Sequence, residues 1–161
     1  MRWLKRVVVA VALTLVISVP AHAAEQISSF DSKVTVQKNG RVEVVETINY
    51  DFGYASRHGI YRYIPVVYHG DSDKVFKPTF GFDSIAVDGQ PIQYSTSRDG
   101  DNEVVKIGDP DATITGPHTY VIRYHFDSLL LPGDLLRFNV TGSGWTVPIQ
   151  KAAVTIVGPT V

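Results

Sequence analysis

Between Thr119 and Phe126 every second position carries a large apolar side chain: Tyr120, Ile122, Tyr124 and Phe126 alternate with Val121, Arg123 and His125. A period of two places the two sets on opposite faces of an extended chain, so this segment reads as a strand with one face committed to a core. The same alternation runs through Val34 and Val36 against Lys33, Thr35 and Gln37. It returns in Val42, Val44, Ile48 and Tyr50 against Arg41, Glu43, Thr47 and Asn49. Between these two runs stands Asn39-Gly40, a dipeptide that supplies the positive φ of a tight hairpin turn. Glu46 is the discordant residue, because its parity puts a carboxylate on the apolar face of its strand.

Further extended segments follow the same rules. Phe80, Phe82 and Ile85 to Val87 lead into the turn dipeptide Asp88-Gly89, and Ile92 and Tyr94 continue beyond it. Arg98 to Asp101 makes another turn before Val104, Val105 and Ile107, and Leu135–Val140 and Val147–Val157 supply the last expected strands. Apolar residues nowhere recur at helical spacing over three turns, and eight Tyr and seven Phe favour a pleated surface. The expected fold is all-β: an antiparallel β-sandwich of about eight strands, with a small closed barrel as the alternative.

The N-terminus obeys a different logic. Arg2, Lys5 and Arg6 precede an apolar run from Val7 to Val19, and Pro20 and Ala21-His22-Ala23 follow. This order is that of a helical signal peptide cleaved after Ala23, with Ala21 and Ala23 as the small residues the peptidase pocket accepts. A helical run of that length rises only about 20 Å, short of the ~30 Å hydrocarbon core. The expected organisation is therefore a signal peptide over 1–23 and one exported domain over 24–161, in the periplasm or on the extracellular face of the cytoplasmic membrane.

Three of the 15 Lys+Arg and none of the 16 Asp+Glu lie in the leader, which leaves the mature part at −4. That balance argues against a nucleic-acid partner and against a polybasic membrane-surface segment. Cysteine is absent, so thiol catalysis, thiolate metal sites and disulfide staples are excluded. His58, His69, His118 and His125 are widely spaced and form no zinc motif, and no cofactor is expected.

Five segments resemble the N-terminal extracytoplasmic domain of the DUF2207 family of predicted membrane proteins. They are Ile27–Asp31, Arg57–Pro65, Ile107–Asp111, His118–Tyr120 and Asn139–Trp145, in family order and across nearly the whole mature chain. Phe138 stands where the family favours Trp before the Asn-Val-Thr-Gly run. The resemblance implies a β-sandwich outside the membrane, with its membrane context in a C-terminal region absent from this chain. It implies no catalytic residues.

Arg57 to Tyr63 is the densest polar and aromatic cluster, and Arg57, His58, Tyr61 and Arg62 are the candidate ligand-binding residues. Arg recognises carboxylate or phosphate, and Tyr offers a platform for sugar or peptide. The competing reading is a strand entrance with Gly59 in a special conformation and the arginines paired to local acids. Gly108-Asp109-Pro110-Asp111 has the oxygen donors of a calcium loop but not its spacing, so a turn is preferred. Gly142-Ser143-Gly144 lacks the context of a nucleophile elbow. Trp145 reads as a core plug ahead of a sugar platform.

The leading expectation is a non-enzymatic extracytoplasmic binding or sensor module for a protein, peptide or cell-wall glycan. A glycan-acting hydrolase is the second reading, with Glu43, Glu46, Asp109 and Asp111 as its possible carboxylates. A buried Glu46 would be an acid of raised pKa or the partner of a buried Arg. A structural spacer is the third.

Overall fold

The computed structural model describes residues 24–69, 75–127, 136 and 138–159. The leader and its cleavage residues Ala21 and Ala23 lie outside the described residues, as does Leu135 at the start of one expected strand. Among the described residues the regular structure is all strand: β1 (Gln26–Val36), β2 (Val42–Asp51), β3 (Ile60–Pro65), β4 (Tyr68–His69), β5 (Val75–Phe76) and β6 (Thr79–Val87). There follow β7 (Gln90–Pro91), β8 (Tyr94–Asp99), β9 (Asn102–Ile107), β10 (Pro117–Asp127) and β11 (Ala152–Val157). Three of these eleven, β4, β5 and β7, are two residues long and leave no readable period.

Six strands form one sheet in the order β11-β1-β2-β10-β6-β7, and β3-β9-β8 form a second. The alternating residues do what their parity requires. On β2 the buried set is Val42, Val44, Glu46, Ile48 and Tyr50, and on β10 it is Tyr120, Ile122, Tyr124 and Phe126. Tyr120 stands opposite Ile48 and Tyr124 opposite Val44, so the apolar sets coincide across the ladder. Ile60 and Ile64 from β3, with Val105 and Ile107 from β9, close the core from the other layer.

The β1–β2 hairpin turns at Asn39-Gly40. Asn39 Oδ1 accepts the Arg41 N–H at 3.0 Å, and Gly40 takes φ +83° with open space around its Cβ position. Gly40→Ala therefore carries only the intrinsic left-handed penalty, about 1 to 2 kcal/mol. Urea unfolding should show that loss with an unchanged m-value.

Two features depart from a simple antiparallel sandwich. β11 pairs with β1 in parallel, Phe30 opposite Ala152 through Thr35 opposite Val157. β10 and β11 consequently run the same way, and the chain between them must cross from one end of the sheet to the other. That crossover displaces an expected strand: the described residues of Leu135–Val140 are not in a ladder. Instead Leu136, Phe138, Trp145, Val147 and Ile149 pack against the core. The Pro148–Lys151 stretch then bonds to the start of β1, through Ile27 N–H to the Pro148 carbonyl and Phe30 N–H to the Lys151 carbonyl, each 2.9 Å.

The outer strands differ in character. β8 is fully exposed but polar, with Ser95, Thr96, Ser97, Arg98 and Asp99, a composition that discourages edge pairing. β11 is exposed and uncharged. Val154 and Ile156 pair with Ser32 and Val34 and share their face, yet remain 43% and 60% exposed.

Candidate functional site

Strand β3 separates its residues by parity. Ile60, Arg62 and Ile64 point into the core; Tyr61 and Tyr63 point out. Arg62 is 1% exposed and meets Glu46, which is fully buried. Arg62 Nε donates to Glu46 Oε2 at 2.8 Å and Nη2 to Oε1 at 2.6 Å, a bidentate pair. Tyr124 Oη donates to the same Oε1 at 2.6 Å, and Arg62 Nη1 donates to the Tyr63 carbonyl. The guanidinium lies over the rings of Phe30 (5.4 Å) and Trp145 (5.9 Å). Burial opposes its charge, but the Glu46 charge and hydrogen bonds, with Tyr124, outweigh that and raise the Arg62 pKa. Burial, followed by the Glu46 charge, drives the Tyr124 hydroxyl well above its ordinary range.

This geometry corrects the sequence reading of Arg62 as a surface ligand residue. It is a core pin that joins β2 and β10 of one sheet to β3 of the other. The alternative of a buried Arg partner for Glu46 is the one realised.

Glycines bring the other segments against β3. Gly59 (φ +137°) and Gly108 (φ +145°) face each other so closely that a Cβ on either would strike the other strand's backbone, at the Ile107 or His58 carbonyl. On the opposite edge, Tyr63 bridges to Ser143. Gly142 fits beneath Arg62, and a Cβ on Gly144 would lie 2.7 Å from Tyr63 Cδ2. Phe30 and Trp145 pack T-shaped, ring centroids 6.2 Å apart. Four of the five segments that carry the family resemblance thus meet around β3.

The outward side of the same strand borders a cleft of about 310 Å³. Arg57, Tyr61, Tyr63, Trp145, Glu25 and Tyr50 line it, with Gly59, Ile60, Gly144 and Thr146 filling in between. Arg57 binds Glu25 through Nε (3.2 Å) and Nη2 (3.0 Å), and Tyr50 Oη donates to Glu25 Oε1 at 3.3 Å. The hydrogen bond and charge of Glu25 raise the Arg57 pKa. Burial first, then Glu25, pushes Tyr50 up to about 12. Tyr61 is 53% exposed.

Of the four candidate ligand residues, then, Arg57 and Tyr61 reach the cleft. His58 is exposed, but its Nδ1 sits 2.8 Å from the Ala112 carbonyl and it does not line the cleft. Glu25 and Tyr50 were not singled out by sequence, since nothing local links them to Arg57. Trp145 had a signal, its place after the Gly-rich turn; it packs against the core, with the Arg62 guanidinium over its ring, and it also lines the cleft.

The hydrolase candidates do not converge on Glu46, whose two oxygens are already held by Arg62 and Tyr124. Glu43 occupies the opposite face of β2. Asp109 Oδ1 accepts the Asp111 N–H at 2.8 Å, the turn expected there. His69, His118 and His125 each pair with one aspartate, Asp101, Asp88 and Asp83 respectively. Among the described residues no three His, Cys, Asp or Glu side chains gather as a metal-binding group.

Residues 26–161 match the family model described as "Predicted membrane protein (DUF2207) N-terminal domain". The uncharacterized protein YciQ of Escherichia coli K12 is 26% identical over 137 residues, covering 82% of this chain and 22% of that protein. The chain thus spans about a fifth of that relative's length. Among solved structures, an M1 zinc metallopeptidase from Deinococcus radiodurans aligns at TM-score 0.44 and 12% identity, over 68% of this chain and 23% of that one. Leukotriene A4 hydrolase from Saccharomyces cerevisiae aligns at 0.45 and 8%, over 63% and 15%. Likeness at that level carries no inference about chemistry. Among the described residues no helix is long and apolar enough to cross a membrane.

Proposed function

The chain belongs to the DUF2207 family through its N-terminal domain, and from that premise we propose that it is the outward-facing, non-catalytic binding module of a membrane protein. The cleft beside β3 is its binding surface. One observation carries the reading: Arg57, Tyr61, Tyr63 and Trp145 converge on a single concavity with polar and aromatic walls. Small-ligand sites combine such walls with a few convergent polar groups. The outward placement is supported by the basic, apolar and Ala-x-Ala order of the first 23 residues. The family description supports membrane attachment, which we assign to sequence outside the described residues. The absence of catalysis is supported by Glu46, whose carboxylate is fully committed to Arg62 and Tyr124.

Arg57 and Tyr61 are the residues to remove, since both are exposed and neither supports the core. The exported Arg57→Ala/Tyr61→Ala variant should unfold at the wild-type temperature. It should also lose the protein, peptide or glycan that the wild-type domain retains from envelope extracts. Equal retention by both would remove this cleft as the binding surface.

A further inference from the structure

We infer that the cleft takes a neutral oligosaccharide, an inference that rests on its being the binding surface. The first argument is charge. Among the residues lining the cleft the charged ones are Glu25 and Arg57, and they neutralise one another through two hydrogen bonds. A ligand carboxylate could reach Arg57 only by displacing Glu25 or lying against it, and a ligand ammonium meets the converse obstacle. A sugar hydroxyl both donates and accepts. Neighbouring hydroxyls can accept from Arg57 and donate to Glu25 while the ion pair stays intact.

The second argument is the walls. Tyr61, Tyr63 and Trp145 offer ring surface beside that polar pair, and the C–H faces of a pyranose are the apolar surface such rings cover. These rings are also held in place. Trp145 Nε1 donates to the Thr141 carbonyl at 2.9 Å, the Tyr63 ring lies where a Cβ on Gly144 would come within 2.7 Å of it, and Lys106 Nζ stands 6.0 Å from the Tyr61 centroid. Rings already ordered before binding lose little freedom on contact, which favours an uncharged ligand that supplies no strong ionic contact of its own. A peptide would bring charged termini to a site whose charges are already matched.

The chain has two tryptophans, Trp3 and Trp145. Trp3 lies in the leader, so in the exported domain, residues 24–161, tryptophan fluorescence reports Trp145 in the cleft. The probes are chitotetraose, cellotetraose and maltotetraose as neutral tetrasaccharides, with tetra-alanine as a charged peptide of similar length. At least one sugar should give a saturable change with half-saturation below about 1 mM. Raising salt from about 50 to 500 mM should alter that value less than about twofold, since no net charge is matched on binding. Tyr61→Ala should weaken it roughly tenfold, the scale of one lost aromatic contact. Saturation by the peptide and by none of the sugars would overturn the glycan assignment and leave the cleft as a binding surface. Silence of Trp145 towards every probe would overturn both.

Discussion

Arg62→Ala should cost about 3 to 5 kcal/mol, the range for breaking a buried ion pair by removing one partner. The loss comes from Glu46, left fully buried with its charge and one remaining donor, Tyr124. Glu46→Leu should be as damaging, because it strands the Arg62 guanidinium between Phe30 and Trp145 and leaves Tyr124 Oη without its acceptor. An unsatisfied buried hydroxyl alone costs about 1 to 3 kcal/mol. The pair is costly to break but need not be the most stable filling. The triple variant Arg62→Met/Glu46→Leu/Tyr124→Phe removes both charges and the orphaned hydroxyl together. It should recover most of the loss, as apolar replacements of buried ion pairs often do. Denaturant unfolding of the two single variants and the triple checks this. If the triple falls by the sum of the parts, the three groups do not act as one network.

Gly59→Ala and Gly108→Ala form the second large effect, each about 3 kcal/mol or more. Both glycines hold φ values that L side chains rarely adopt, +137° and +145°, a strain of about 1 to 3 kcal/mol by itself. Each new Cβ would also be driven into backbone. At Gly59 it would lie 2.9 Å from the Ile107 carbonyl carbon, and at Gly108 2.8 Å from that of His58. Since backbone cannot rotate aside, β3 and β9 must part. Once one substitution has opened that gap, the second meets less resistance, so the double variant should fall short of additivity. Gly40→Ala, with open space at its Cβ position, is the control that separates strain from collision.

Much of this architecture was legible because strand parity is a local property. Val42, Val44, Ile48 and Tyr50 announce a buried face, and Glu46 announces an anomaly within it. Its solution was not local. Arg62 lies 16 residues away on the facing sheet, and Arg57 and Glu25 lie 32 apart. Pairings across layers depend on how the sheets stack, which periodicity does not record. The Arg57–Tyr63 cluster offers two readings, a ligand groove or a strand entrance with paired arginines, and the arginines are indeed paired, Arg62 with Glu46 and Arg57 with Glu25. Alternation along β3 sends Arg62 inward to hold the sheets and Tyr61 and Tyr63 outward to the cleft. The parallel β11 escaped for a similar reason: the crossover through Trp145 and Ile149 has core contacts but no regular period.

Strand β3 and its entrance divide into a stabilising inward face and an outward face on the cleft, and thermal unfolding of two exported variants tests that division side by side. Arg62→Ala should lower the midpoint by about 10 °C or more, or abolish the cooperative transition. Arg57→Ala/Tyr61→Ala should melt with the wild type. Comparable losses in the two, or a larger one in the Arg57/Tyr61 variant, would contradict the division.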